Sequence, residues 1–379
     1  MDFERFYNAK DAHPFDQKNE MFKRARWEEK FKWAGKKYYG TVTPTDKPGF
    51  RIEDIAFRNA AWWLEFAYAR GINTSNFGIF SWEDKRESIQ ALADDTKFDA
   101  KNPAYSTRLI KNAAKVFGAD LVGICKLDRR WIYTKGFKLV ERTEYDIDIP
   151  DEYQHVIVMA IEMPYEPLKY SPTYIAGAGA GVGYSKMAYT AGLVAQYVRQ
   201  LGYKAIPSGN DTAMNIPYAI QAGLGELGRL GLLITYEFGP RVRLCKVFTN
   251  LPLKNDEPVR FGVTEFCEVC GKCAENCPSQ AISYEKKRFL EPVSLSNAGG
   301  TLKWYINVEK CFEFWAKNSS DCANCIRVCP FNKPKGALHT FVKWLIDHFP
   351  KVDSLMKHGD DILGYGRKMD PATYCDKRE

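Results

Sequence analysis

The chain has 379 residues, 45% of them hydrophobic and 27% charged, enough to bury a large core and too apolar for a disordered chain. Its 54 basic and 47 acidic residues leave a net charge of +7 with no Lys/Arg block, which argues against nucleic acid and permits only weak attraction to acidic partners or membrane surfaces. No apolar run approaches the roughly 18 residues of a membrane helix, and the N-terminus carries no basic region followed by an apolar core, so no signal peptide is read there.

Residues 1–103 alternate charge with aromatics, as in "MFKRARWEEKFKWAGKKYYG". The stretch "FRNAAWWLEFAYARG" (57–71) reads as a helix packing on the rest of the chain. With 14% aromatic residues overall, an aromatic-lined pocket for an apolar ligand is one reading and an aromatic core the other. "TRLIKNAAKVFGAD" (107–120) has helical apolar spacing and stops at Gly118. "LVGICKL" and "HVIVMAIEM" follow as buried strands. In "GAGAGVGYSKMAYTAGLVAQYVRQLGY" (177–203) the second half places Met187, Ala191, Val194, Val198 and Leu201 on one helical face. Its glycines do not fit G-x-G-x-x-G, so a dinucleotide site is set aside. They read instead as a flexible loop where backbone can approach a large flat ligand. "GLLITYEFGPRVRLCKVFTN" (231–250) reads as two strands joined by a Gly-Pro turn. Helices and strands thus alternate through an α/β core over 104–260, followed by a cysteine module over 261–335 and a tail, 336–379, that is partly helical at "TFVKWLIDHF" and then irregular.

The 11 cysteines carry the most specific signal. Cys267, Cys270, Cys273 and Cys277 are spaced C-x2-C-x2-C-x3-C before Pro278, and Cys311, Cys322, Cys325 and Cys329 are spaced C-x10-C-x2-C-x3-C before Pro330. A cubane needs four thiolates from different directions, and in two-cluster modules the last cysteine of a run ligates the other cluster. Cluster one then takes Cys267, Cys270, Cys273 and Cys329, and cluster two takes Cys277, Cys311, Cys322 and Cys325. Zinc has no use for a Cys-Pro ending in each run, and disulfides suit small secreted scaffolds. Cys125, Cys245 and Cys375 read as buried or incidental thiols. His13, His155, His339, His348 and His358 form no pair at ligand spacing.

Three polar stretches precede the module: "GVGYSKMAY", "IPSGNDTAMNIPYAIQAGLGELGR" and "YEFGPRVRLCKVF". Together with "FGVTEFC" and both cysteine runs, the chain from about 104 to 335 resembles the corrinoid-dependent reductive dehalogenases. The resemblance implies an α/β (α+β) fold: a nitroreductase-like, cobalamin-binding sandwich joined to a bacterial-ferredoxin-like module with two [4Fe–4S] clusters. It also implies a Tyr, an Asn and an Arg over the cobalt, which fall on Tyr184, Asn210 and Arg243. Arg241 competes with Arg243, because strand alternation puts both on one face. The implied reaction is R–X + 2e⁻ + H⁺ → R–H + X⁻. A phenol ionises near pH 10. A neighbouring Arg favours phenolate, and an Asn can hydrogen-bond the phenolic oxygen.

The resemblance further implies a small halogenated substrate, chlorinated aliphatics being favoured, a low-potential electron donor and a small membrane anchor protein. No D-x-H-x-x-G motif is present, so a base-off corrinoid without a protein His ligand is expected. The length matches the respiratory type, exported by a twin-arginine signal to the outer face of the cytoplasmic membrane, although no twin-arginine segment stands in this sequence. Two alternatives remain: an epoxyqueuosine reductase-like tRNA-modifying enzyme, and a two-cluster electron-transfer protein without catalysis.

Overall fold

The structure is a computed structural model and describes residues 1–66, 79–82, 90, 92–93, 96–139, 141–334 and 336–375. The N-terminal region forms α1 (Phe3–Tyr7), α2 (Met21–Trp27), α3 (Lys32–Tyr39) and α4 (Ile52–Leu64). α4 accounts for the first part of the helix expected over 57–71, and residues 67–71 lie outside the described residues. α5 (Pro103–Val116) starts where Asn102 caps the Tyr105 N–H at 3.1 Å with Pro103 in the first turn. It stops before Gly118, whose φ of +104° suits glycine.

Along the chain follow β1 (Leu121–Lys126), β2 (Gly136–Lys138), β3 (Thr143–Tyr145) and β4 (His155–Glu162). Then come the short α6 (Tyr165–Leu168), the 27-residue α7 (Tyr174–Gln200), β5 (Ala205–Ser208) and α8 (Asn215–Gln221). β6 (Glu226–Leu227), β7 (Leu233–Ile234) and β8 (Val242–Thr249) complete this part. The central sheet has the order β1-β4-β8-β5 with every pairing antiparallel, while β2–β3 and β6–β7 are separate two-stranded ribbons.

Period-two alternation makes this sheet the middle of a sandwich. Val156, Val158 and Ala160 of β4 and Leu244 and Phe248 of β8 face one apolar layer, with Phe3, Trp131, Tyr218 and Ile220. Ile157, Met159 and Ile161, with Cys245 and Val247, face the other, with Ile110 of α5 and Met187, Val194 and Val198 of α7. Strands covered on both faces read as continuous apolar runs, which is why 155–163 was legible as a strand.

Three expectations change. The glycines from 177 to 183 lie inside α7 and not in a loop. Two strands do occur within 231–250, but they belong to different sheets and do not pair with each other. The tail is not irregular after its first helix: α13 (Ala337–His348) is followed by α14 (Asp353–Ile362).

The cysteine segment contributes α9 (Val263–Cys270), α10 (Lys272–Glu275), α11 (Val308–Asn318) and α12 (Asn324–Arg327). It is not a detached module. One apolar cluster joins Phe266, Ile326 and Phe331 to Met163, Leu168, Leu230 and Ile234 of the core and to Ile346 of α13. α14 is fastened by Asp360, which accepts from Lys272 Nζ at 2.5 Å and also pairs with Lys333. The N-terminal region divides its contacts: Phe3 and Tyr7 pack on the sheet, whereas Met21, Phe31 and Ala34 pack on Phe312 and Ala316 of α11. No helix among the described residues is long and apolar enough to cross a membrane.

Candidate active site and cysteine centres

α7 owes its position to its small residues. A Cβ on Gly181 would lie 2.3 Å from the Trp62 ring, and one on Gly183 would lie 2.9 Å from both Arg243 Cγ and Met163 Cγ. These two glycines therefore admit α4 on one side and β8 on the other, and they stand immediately before Tyr184. Packing outweighs the roughly 1 kcal/mol that each helical glycine costs.

Tyr184 is enclosed by three side chains from three elements. Trp62 of α4 stacks on its ring with centroids 4.5 Å apart at an interplanar angle of 25°. The Arg243 guanidinium of β8 lies over the same ring, its Cζ 4.8 Å from the centroid. Asn210, in the turn after β5, donates from Nδ2 to the Tyr184 hydroxyl at 2.9 Å. The residues singled out at Tyr184, Asn210 and Arg243 are thus brought together. The cation sits over the ring face.

Arg241 is held elsewhere. It lies just before β8 and is fully buried, pairing with Glu162 and donating to Asn332 Oδ1 and the Met163 carbonyl, both at 2.9 Å. Alternation does not extend to a residue outside the strand. The Nε of Arg243 is buried with no hydrogen-bond partner among the described residues. An unpaired buried N–H of this kind calls for an acceptor that the chain does not supply. The site therefore suits a ligand rich in acceptors beside Tyr184, as a corrinoid with its amide side arms is.

The cysteines form two quartets. α9 ends at Gly271, whose φ of +64° turns the chain directly into α10, so Cys267, Cys270 and Cys273 face one space. Cys329, arriving after α12, closes that space, which is also lined by Leu230, Phe266 and Phe331. Cys311, Cys322, Cys325 and Cys277 form the second group, close enough that, on top of burial, Cys322 and Cys277 disfavour ionisation of Cys311 and Cys325. Cys329 thus stands beside the first run and Cys277 beside the second.

Burial pushes the Cys267 thiol up to about 12, with the Arg229 N–H working against it, and the Cys325 thiol also up to about 12. Cys270 is pushed up to about 11, chiefly by burial. Such thiols keep their protons unless a strongly charged centre displaces them, which is what iron does. The donor set fits iron–sulfur clusters.

Several neighbours carry no motif. Arg229 donates to the Cys267 carbonyl at 2.8 Å and stacks over Trp304. Arg58 of α4 forms a two-pronged contact with Asp321, at 2.9 and 3.1 Å, and Tyr38 of α3 donates to the same carboxylate at 2.7 Å. The N-terminal region therefore grips the residue beside Cys322. Asn215 and Lys246 extend the hydrogen bonds of Asn210 away from Tyr184. The available signal for Lys246 was a charge among buried positions of a strand. For Trp62 it was a tryptophan in a helix opposite the glycine-rich segment. Cys125 and Cys245 are buried in the sheet and Cys375 is exposed.

Comparison with known proteins agrees with this geometry. A family model described as a 4Fe-4S dicluster domain matches residues 266–333. The tetrachloroethene reductive dehalogenase of Sulfurospirillum multivorans is 38% identical over 341 residues, covering 83% of this chain and 68% of that protein. The chain belongs to the reductive dehalogenase family. The tetrachloroethene reductive dehalogenase of Dehalobacter restrictus is 39% identical over 332 residues, 78% of this chain and 60% of that one. A solved structure described as a reductive dehalogenase that suggests a mechanism for B12-dependent dehalogenation superposes with a TM-score of 0.74 at 24% identity, over 95% of this chain and 47% of the other. This likeness establishes the α+β sandwich with its dicluster segment as the family's fold. The chain spans between about half and two thirds of the length of these relatives. Iron–sulfur clusters and a corrinoid are the cofactors of this family.

Proposed function

We propose that this chain reduces a small organohalide, R–X + 2e⁻ + H⁺ → R–H + X⁻, with a chlorinated aliphatic as the favoured substrate. The observation that carries the proposal is the grouping around Tyr184: Asn210 Nδ2 at 2.9 Å from its hydroxyl and the Arg243 guanidinium over its ring. A bound corrinoid supplies low-potential electrons that no side chain can provide. The chain's own residues do the rest. The Tyr184 hydroxyl gives its proton to the carbon that loses the halogen. Asn210 holds the phenolic oxygen in one direction. Arg243 places positive charge where phenolate and halide develop, and its unpartnered Nε is available to an acceptor on the bound ligand. Trp62, stacked on Tyr184, presents an aromatic wall that keeps water from one side of the phenol.

In the same proposal Cys267, Cys270, Cys273 and Cys329 would hold cluster one and Cys277, Cys311, Cys322 and Cys325 cluster two, and the clusters would supply one-electron transfer from a low-potential donor. A corrinoid held here would have no protein histidine as a ligand. His13, His155, His339 and His348 contact Asp11, Asn255, Tyr365 and Trp344, none of which surrounds Tyr184, and His358 is exposed on α14. A nitrogen ligand on Co(II) in the EPR spectrum would contradict this. A small membrane anchor and a position on the outer face of the cytoplasmic membrane, after twin-arginine export, complete the respiratory reading. Neither the tRNA-modifying reading nor that of a carrier without catalysis accounts for the grouping at Tyr184.

The test is metal content after anaerobic purification with added cobalamin. About one cobalt and about eight iron per chain, two four-iron clusters, are expected. Iron without cobalt would leave an electron carrier and remove the roles given to Tyr184, Asn210 and Arg243.

A further inference from the structure

The hydrogen bonds at Asn210 do not end there. Asn210 Oδ1 accepts from Asn215 Nδ2 at 2.9 Å, and Asn215 Oδ1 accepts from Lys246 Nζ at 2.7 Å. Lys246 is 0% exposed, and its ammonium also donates to the carbonyls of Gly209 at 2.7 Å and Asp211 at 3.3 Å. Alternation puts Arg243 and Lys246 on opposite faces of β8. The run of contacts therefore crosses from one face of the sheet to the other around the end of the edge strand β5, where the chain turns at 209–211.

The direction of these bonds follows from the chemistry of the lysine. An ammonium has three donors and no acceptor. Facing it, Asn215 must present its oxygen, and its Nδ2 is then turned toward Asn210 Oδ1 and the carbonyls of Gly209 and Leu244, the latter two at 3.1 Å. With its own oxygen taken, Asn210 has only its NH₂ to offer the phenol. A phenolic oxygen that accepts from an amide keeps its hydrogen free to point elsewhere. The reverse arrangement, an Asn210 oxygen accepting from Tyr184, would tie up the hydrogen that the reaction consumes.

We propose that Lys246 is a positioning residue that acts through Asn215: it sets the polarity of the two amides so that Asn210 donates to Tyr184 and the phenolic hydrogen stays available to the substrate. The proposal rests on the reading of Tyr184 as proton donor. A buried cation whose hydrogen bonds go to neutral acceptors is costly to keep, and an apolar side chain of similar length would fill the space without that cost. Burial pushes Lys246 down to about 7, against the attraction of Asp211, Cys245 and Glu20. Glu20, which faces it from the residue ahead of α2, is itself pushed up to about 7 by burial, with Lys23 and its Tyr133 hydrogen bond acting the other way and Asp211 adding to the rise. Once neutral, the lysine can accept as well as donate, and the amide polarity is no longer enforced.

The experiment uses the holoenzyme with cobalt and iron content checked. Asn215→Asp keeps the oxygen facing Lys246 but cannot donate to Asn210. Its kcat should fall about tenfold, the worth of one charge-linked hydrogen bond, with KM for the organohalide unchanged and a thermal midpoint at or above wild type, because the new carboxylate pairs with the ammonium. Lys246→Met should show the same loss and should also lose the alkaline fall in kcat, which Glu20→Gln should retain. A merely structural role for Lys246 predicts full activity and an unchanged pH profile in Asn215→Asp, and that result overturns the proposal, as does a kcat loss that only accompanies a lowered midpoint. If Tyr184→Phe is fully active, the proton-donor reading itself has failed. If Tyr184→Phe is inactive while Asn215→Asp behaves as wild type, only the inference about Lys246 has failed.

Discussion

Gly181→Ala is the perturbation that tests the architecture of the site most directly. The added methyl would lie 2.3 Å from Trp62 Cδ1 and 2.6 Å from its Nε1. Restoring an ordinary carbon contact of roughly 3.5 Å obliges the indole to retreat by about 1 Å. That movement strains the bond from Trp62 Nε1 to the Gly177 carbonyl, now 3.1 Å, and opens the stack on Tyr184, now 4.5 Å between centroids. Overpacking of this kind costs about 1–3 kcal/mol, which a domain of this size survives. The effect on turnover should be larger, because displacing a positioning group by about 1 Å can cost about 10²-fold in rate. The assay is anaerobic dehalogenation of a chloroalkene with a reduced low-potential dye, alongside cobalt, iron and thermal midpoint. Folding and metal content should hold while kcat falls. In a Trp62→Leu background the same glycine substitution should add little, since the clash has been removed. Wild-type kcat in Gly181→Ala would refute the claim that the glycine exists to seat Trp62 against Tyr184.

Other outcomes follow from the same geometry. Tyr184→Phe should retain cobalt and iron and lose about 10²-fold or more in kcat, as removal of a general acid does, measured by the same assay. Cys329→Ala should disrupt the cluster shared with Cys267, Cys270 and Cys273, whereas Cys277→Ala should disrupt the other. EPR of the reduced proteins should therefore lose different signals, and the same signal lost in both would contradict the exchange. The pH dependence of stability separates two buried groups. A carboxyl raised from 4.5 to about 7, Glu20, favours the unfolded state increasingly between those values, so stability falls with pH there. An amine lowered from 10.5 to about 7, Lys246, binds its proton less well folded than unfolded, so stability rises with pH between about 7 and 10.5. Thermal midpoints across pH should lose the fall in Glu20→Gln and the rise in Lys246→Met.

Much of this was present in the residue order alone. The partition proposed for the two cysteine runs comes from their spacing alone, because a tight C-x2-C-x2-C turn supplies three ligands and a fourth must come from afar. β4 was legible because a strand covered on both faces carries an unbroken apolar run. The end of α5 was legible because few residues other than glycine adopt the conformation of Gly118. These are local signals, carried by spacing or backbone preference within a few residues. The glycine-rich segment shows where local reading fails. Four glycines in seven residues argue for a loop, yet they form the start of a 27-residue helix, in which Trp62 occupies the space beside Gly181 and Arg243 that beside Gly183. The choice between Arg241 and Arg243 likewise depended on where β8 begins and on Glu162 and Asn332 being nearby to hold Arg241. Tyr184, Asn210, Asn215 and Lys246 lie on three elements and a turn, spread over both faces of one sheet, and only folding brings their donors and acceptors within 3 Å of one another. Spacing along the chain carries ligand chemistry. The direction of a hydrogen bond between distant side chains is decided by packing, because only packing dictates which end of an amide meets a buried cation.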